Sequence, residues 1–372
     1  MNAATPSAAY SRIVVTGGAG FVGSHLALAL ADAYPGAEVV AADNLVRRGS
    51  ELALERLADR GVRFVHADVR DAADVAALGA CDLVVDCAAE PSVLAGRGDG
   101  SEHVVRTNLV GTLNTLELAR RAEAAFLFVS TSRVYPHRAI ENLPLRAEGT
   151  RYVYDATRPV RGAGPEGISE DFALDGPRTL YGATKLASEL LVTEYADQNG
   201  MRVLVDRCGV IAGPGQMGKQ DQGFLVHWIA RHLFGGELAY IGYDGLGLQV
   251  RDVLHVDDLA RLVVRQVADI ERVSGGVYNV GGGAANSVSL RELTEMCSAA
   301  TGRTLDVGSD PRTRPGDVRW YVTDARRACA EFDWRPEIGM EELVETTTRW
   351  IRDGGERLRR VLIGDGAREV AR

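Results

Sequence analysis

The stretch "RIVVTGGAGFVGSHLALAL", residues 12–30, reads as an apolar strand, a turn holding Gly17, Gly20 and Gly23, and an apolar helix that opens with Phe21 and Val22. In a G-x-x-G-x-x-G array placed directly after a strand, the first two glycines let the backbone turn tightly and approach a pyrophosphate. The third lets helix and strand pack closely. The helix N-terminus then turns its free N–H groups and the positive end of its dipole toward the phosphates. A glycine triplet alone is a weak signal, and a tight turn without a ligand is its plain alternative. The strand–turn–helix context strengthens it, as does Asp43, which ends the next strand 20 residues after Gly23. A carboxylate there, followed by Asn44, suits the ribose hydroxyls of NAD and repels the 2′-phosphate of NADP. Arg47 and Arg48 lie just beyond and could accept such a phosphate, although a solvated loop explains them equally. The array therefore points to NAD.

Outward from this unit, apolar runs at 12–17, 37–43, 62–68, 81–88, 125–130 and 202–210 alternate with helical stretches that include 21–33, 101–122 and 179–198. Strands apolar throughout, joined by helical crossovers, predict a parallel sheet covered on both faces, the doubly wound α/β pattern. After 210 the rhythm changes. A glycine-rich loop (212–223) precedes a strand with a capped helix (249–267) and a further strand ending in a turn (277–283). The expected organisation is a short tail (1–10), a Rossmann domain (11–211), a smaller mixed substrate lobe (212–350) and a C-terminal tail (351–372). Residues 249–280 are expected to return to the Rossmann domain.

The chain has 372 residues and a formal net charge of -9. That charge argues against a nucleic-acid binder or an anionic-membrane binder. Five cysteines, an odd number with no C-x-x-C pair, predict neither a disulfide framework nor a zinc site, and fit a reducing cytosol. No metal is expected. No apolar run approaches transmembrane length, and the start "MNAATPSAAYS" lacks the regions of a signal peptide.

Of 42 basic residues only Lys185 and Lys219 are lysine. Lys185 follows Tyr181 by four residues, so on a helix the two share a face. An ammonium beside a phenol favours the phenolate and lowers its pKa, and a cationic nicotinamide would push the same way. A lysine also reaches ribose hydroxyls as a compact donor, which the planar arginine fork does less well. "FLFVSTSRVYP" (126–136) supplies Ser130, Thr131 and Ser132 at a strand end, where a hydroxyl could hold a substrate hydroxyl against Tyr181. The plain alternatives are a solvent-facing helix pair and a polar turn.

With these residues in place, the chain resembles the extended short-chain dehydrogenase/reductases, in the NAD-dependent nucleotide-sugar epimerase/dehydratase group. "TGGAGFVGS", "STSRVYP", "YGATK", "VRDVLHVDDLA" and "YNVGGG" stand in that family's order. "CAAEPSVLAG" (87–96), "GISEDFALDGPRTLYGATKLASELL" (167–191), "RCGVIAGPGQMGKQDQGF" (207–224) and "NSVSLRELTE" (286–295) look most like its 2-epimerase branch, as does Val210 where many relatives have asparagine. The resemblance implies a catalytic set of Thr131, Tyr181 and Lys185. It implies that Asp68 and Val69 meet the adenine, that Ala88 and Ala89 flank a ribose, and that Asn108 is a structural or cofactor-side residue. Arg251 and Arg314 match positions that bind a sugar-nucleotide diphosphate, and Lys219 could join them. Leu248 departs from the branch, which tends to have lysine there.

Dehydratases of this family carry an Asp-Glu pair just after the threonine, as acid and base for eliminating water. Here Ser132 and Arg133 occupy those places, and Arg133 could orient a keto oxygen or a phosphate. The resemblance thus implies an epimerase acting on a nucleotide-diphosphate sugar at C2, with a 4-epimerase or another redox-neutral isomerase as alternative. A non-catalytic NAD-binding regulator is the reading from outside enzymology, and the tyrosine–lysine pair argues against it. The family suggests a homodimer, or a tetramer, through helices 101–122 and 179–198. Residues 136–180 are expected to form a flap beside the substrate.

Overall fold

A computed structural model describes residues 10–98, 100–218 and 222–364. Six strands, β1 (Arg12–Thr16), β2 (Glu38–Asp43), β3 (Arg63–His66), β4 (Leu83–Asp86), β5 (Ala125–Thr131) and β6 (Val203–Cys208), are joined by a late strand, Gly276–Val280, in one seven-stranded sheet. The order is late strand–β6–β5–β4–β1–β2–β3, and every pairing is parallel. Alternation sorts each strand onto two cores. Ile13, Val15 and Leu127 face helix α1 (Phe21–Ala33), while Val14, Val84 and Phe126 face helices α2 (Gly111–Arg121) and α3 (Leu180–Asn199). Burial on both faces explains why the strands read as unbroken apolar runs.

The chain leaves this sheet at Gly209. Strand β7 (Val210–Ala212) continues the run read at 202–210, but pairs in a second, mixed sheet with β8 (Val250–His255). The return to the large sheet therefore begins at helix α4 (Val256–Ala268), which packs on α1, rather than at 249. The late strand, β9 (Gly276–Val280), completes it. The reason is pairing: β8 is bonded to β7 and to the short strands Ser287–Ser289 and Trp320–Tyr321, all in the smaller lobe.

Three further expectations are corrected. Residues 351–363 are not a tail: they extend helix α5 (Met340–Ile363), with Ile351, Leu358 and Leu362 buried against the substrate lobe. Tyr10 is not in a tail either, since it is buried and donates its hydroxyl to Val267 O at 2.6 Å. Residues 1–9 and 365–372 lie outside the described residues. Residues 136–180 do not form a flap. Two hairpins within them (Leu145–Glu148 with Arg151–Tyr154, and Ala163–Gly164 with Gly167–Ile168) pack Tyr154, Ile168 and Phe172 against Trp320 and Val322, and Arg151 pairs with Glu292 at 2.5 Å.

Two charged residues sit inside strand β6. Arg207 donates to Glu189 on α3 at 2.8–3.2 Å, Ser130 Oγ donates to the same carboxylate at 2.5 Å, and all three are buried. Removing one partner leaves a buried charge without its counterion, which destabilises by about 3–5 kcal/mol. Glu189→Ala should lower unfolding stability by about that amount in urea, while the paired Glu189→Leu/Arg207→Met variant should recover much of it.

Asp206 beside it has no exposed surface, and burial pushes its carboxyl up to about 7. Gln266 Nε2 donates to Asp206 Oδ1 at 2.7 Å, while Asp206 Oδ2 and Gln266 Oε1 are both buried without a partner. A proton on Oδ2 would complete an acid–amide pair. The folded state then binds more protons than the unfolded one between about pH 4 and 7, so stability falls as pH rises through that window. Asp206→Asn, which carries its own N–H, should raise Tm relative to the parent at pH 8 and raise it little at pH 5. The difference should be about 2 kcal/mol.

Candidate active site

The strand ends of the large sheet and the edge of the smaller lobe enclose one continuous cleft of about 1430 Å³. Its floor at one end is the glycine turn. Gly20 N donates to Gly17 O, Gly18 N to Ala42 O, and Ala19 N to Asp43 Oδ2 at 3.2 Å, so the turn is tied to β2. A methyl group at Gly23 would lie 2.2 Å from Gly17 O, a distance no side chain tolerates, so close packing of α1 against the turn requires glycine there. A methyl on Gly18 would meet Ala41 at 2.6 Å; the sequence reading passed over this residue although it adjoins Gly17. Gly17, Gly20, Phe21, Val22, Gly23, Asp43, Asn44, Val69, Ala88 and Ala89 all line the cleft. Bare backbone, a helix N-terminus and a carboxylate at the end of β2 fit a dinucleotide.

Two residues expected at the cofactor do not line the cleft. The Asp68 carboxylate is held by Arg70, at 2.5 Å in its shortest contact, and by Asn44 Nδ2 at 3.2 Å. Those bonds draw it well below the usual carboxylate range. Asn108 is fully buried behind the wall. It bonds Glu90 N and O at 2.7 and 3.2 Å and Thr184 Oγ1 at 3.1 Å, and its role is structural. The helix expected at 101–122 makes a π-turn over Arg106–Val110 at this point, and Thr112 and Ser188 hydroxyls satisfy the Asn108 carbonyl.

Thr131, Tyr181 and Lys185 line the same cleft, and the Thr131 and Tyr181 hydroxyls share a hydrogen bond. Thr179 Oγ1 caps α3 by accepting from Gly182 N, and places Tyr181 in the first turn. Burial pushes the Tyr181 phenol up to about 12; the Thr131 hydroxyl bond and the Arg133 charge oppose this, while Cys208 and Glu90 add to it. Lys185 is 1% exposed, with Nζ 3.8 Å from the Phe128 ring centroid, and burial lowers its pKa against the pull of Asp86. The Lys185 ammonium rests against the Phe128 ring, one helical turn beyond Tyr181.

Of the substrate-side residues, Ser132, Arg133, Arg251 and Arg314 line the cleft. Arg251 is engaged with Asp317 Oδ1 at 2.6 Å and Val318 O at 2.7 Å. Lys219 lies outside the described residues. Leu248 is buried off the cleft, so its departure from the branch does not touch the site directly. Residues without a sequence signal complete the walls: Arg56, His227 and Gln249, and, from α5, Arg349, Trp350 and Arg357. Arg48 Nη2 donates to Arg360 O at 2.7 Å, tying the loop after Asp43 to that last helix.

Parallel sheet, glycine turn and a tyrosine–lysine spacing on the cleft wall, with the lysine buried, together define a dinucleotide-dependent Rossmann enzyme. Residues 13–281 match the model of the NAD dependent epimerase/dehydratase family, and the chain belongs to that family; its cofactor is NAD. It is 29% identical to CDP-paratose 2-epimerase of Salmonella typhi, over 91% of this chain and 98% of that protein. It is 32% identical to a dTDP-glucose 4,6-dehydratase of Actinoplanes sp., over 92% and 98%. Among solved structures, UDP-glucose 4-epimerase of Thermotoga maritima with UDP-glucose superposes with a TM-score of 0.74 at 26% identity, covering 93% of this chain and all of that one.

A methyl at Gly23 would displace the turn from α1. Gly23→Ala should weaken NAD binding by at least about 100-fold, measured by fluorescence titration of protein stripped of cofactor, with the fold retained by circular dichroism.

Proposed function

We propose that this enzyme inverts one carbon of a nucleotide-diphosphate sugar through a transient keto-sugar, with chemistry of the CDP-paratose 2-epimerase kind. The observation that carries the reading is the hydrogen bond between Thr131 and Tyr181 in a glycine-floored cleft that Lys185 also lines, with Ser132 and Arg133 in the turn that follows. Elimination of water needs a general acid and a general base, and neither residue is a carboxylate. NAD, when bound, accepts a hydride and gives it back, so no net oxidant is consumed.

The chain's own residues handle protons and position. Tyr181 Oη takes the proton of the sugar hydroxyl and later returns it, while Thr131 holds that hydroxyl against the phenol. Lys185 presents its ammonium to ribose hydroxyls. Gly17, Gly20, Gly23 and the first turn of α1 hold the pyrophosphate, Asp43 and Asn44 one ribose, Val69 the adenine, and Ala88 with Ala89 flank a ribose. Arg251 and Arg314 face the substrate diphosphate, and arginine forks suit phosphate oxygens. A homodimer through α2 and α3 is supported by Leu113 and Leu190, which stand 37% and 62% exposed there. A cytoplasmic setting fits the five free cysteines.

The higher identity to a 4,6-dehydratase favours elimination as a second reading, and the residues after Thr131 weigh against it. Incubation with CDP-, UDP-, GDP- and dTDP-sugars in deuterated water, without added NAD, separates the readings. A C2-inverted product free of solvent deuterium is expected. A product that has lost water, or that carries deuterium at the inverted carbon, would overturn the proposal, and inversion at C4 would reassign the carbon. Tyr181→Phe should lower kcat by about 10²–10⁴-fold with substrate binding retained.

A further inference from the structure

Helix α5 does not run unbroken to Ile363. Gly355 interrupts it with φ 50° and ψ −133°, a backbone conformation that glycine adopts without strain and other residues do not. A methyl on Gly355 would meet nothing within 4 Å, so backbone conformation alone demands glycine there. Gly354 is needed for a different reason: a methyl on it would lie 2.3 Å from Leu358 Cδ1. Its bare backbone lets Leu358 fold back over the break and become buried. Residues 356–363 thus form an arm beyond the kink.

That arm lies on the loop after β2. Arg48 Nη2 donates to Arg360 O at 2.7 Å, the carbonyl that also accepts from Gly364 N at 3.2 Å. A methyl on Gly49 would lie 2.6 Å from Met217 Cγ and 3.1 Å from Val361 Cγ1, so loop, arm and Met217 meet at one bare backbone position. Arg47 Nη2 donates to Met217 O at 3.4 Å. One carboxylate fastens the loop to the glycine turn: Asp43 Oδ1 accepts from Leu45 N at 2.8 Å, and Asp43 Oδ2 accepts from Ala19 N at 3.2 Å. Val46, Gly49, Met217, Gly354, Arg357 and Leu358 line the same cleft as Asp43 and Asn44. Val46 leaves an apolar side chain 69% exposed on that wall.

We propose that the 356–363 arm and the 45–49 loop form a strap across the adenosine end of the cofactor, and that this strap sets how long NAD stays bound. Its contacts are the Arg48 bond, made by an exposed arginine, and the packing at Gly49 and Leu358. A segment held so lightly opens locally while the sheet stays folded. The strap's part in turnover rests on the epimerase reading, in which the hydride taken from a sugar is returned to it before the cofactor leaves. Its effect on cofactor exchange does not rest on that reading.

The test is the rate at which NADH leaves the loaded full-length protein, followed by its fluorescence after mixing with excess NAD. Arg48→Met and Gly355→Ala should each raise that rate by about tenfold or more, with helix content unchanged by circular dichroism. Because both act on one strap, the double variant should stay within about twofold of the faster single one. Rates within about twofold of the parent in both single variants, or effects that multiply in the double, would overturn the proposal. If Gly355→Ala does not fold, Gly49→Ala takes its place, since its methyl pushes Met217 and Val361 away. During epimerisation without added NAD, the variants should lose activity as NADH escapes, and added NAD should restore it. If no nucleotide sugar is inverted, the epimerase reading fails and the exchange rates still decide the strap. If inversion persists and the exchange rates are unmoved, only the strap is lost.

Discussion

The Glu189–Arg207 ion pair is the constraint on which the site depends. Tyr181, Lys185 and Glu189 follow one another at intervals of four, so they form a single stripe along α3. Bonds from Arg207 and Ser130 to Glu189 fix the rotation of that helix against β5 and β6. A neighbouring stripe, Thr184 and Ser188, is fastened to Asn108 on the π-turn. With both stripes held, Tyr181 and Lys185 have one direction in which to point. A buried ion pair adds little net stability over an apolar replacement, so its value here lies in geometry.

The second organising feature is the change of sheet at Gly209. β6 ends in the large sheet beside Thr131, and β7 begins the smaller lobe two residues later. The cleft lies along this junction, at the carboxyl ends of the parallel strands, where open α/β sheets bind their ligands. Asn279 on β9 reinforces the junction: it accepts from Tyr135 Oη at 2.7 Å and donates to Ile168 O at 2.8 Å, joining the turn after β5 to the hairpins of 136–180. Those hairpins are therefore part of the frame rather than a moving cover.

Much of this was legible in the residues because local signals agreed with the fold. The apolar runs, the glycine turn, Asp43 and the tyrosine–lysine spacing each have a short-range cause. What was missed depends on contacts between residues far apart in sequence. Asp68 was read at the cofactor because its bond to Asn44, 24 residues away, leaves no local mark, although Arg70, two residues on, is a local partner. Asn108 was read as structural or cofactor-side, and the structural alternative holds; the π-turn around it leaves no mark in periodicity. Arg207 did leave a trace: it is an arginine inside a largely apolar strand, and arginine is almost never fully buried unless paired.

Helix α5 supplies a wall of the cleft and receives Arg48 at its far end, some three hundred residues from the glycine turn. A nascent chain whose helix α5 is still inside the ribosome therefore has a half-built cleft, even if its first six strands have already paired. A ligand that touches α5 stabilises chains in which that helix has docked and does little for those in which it has not.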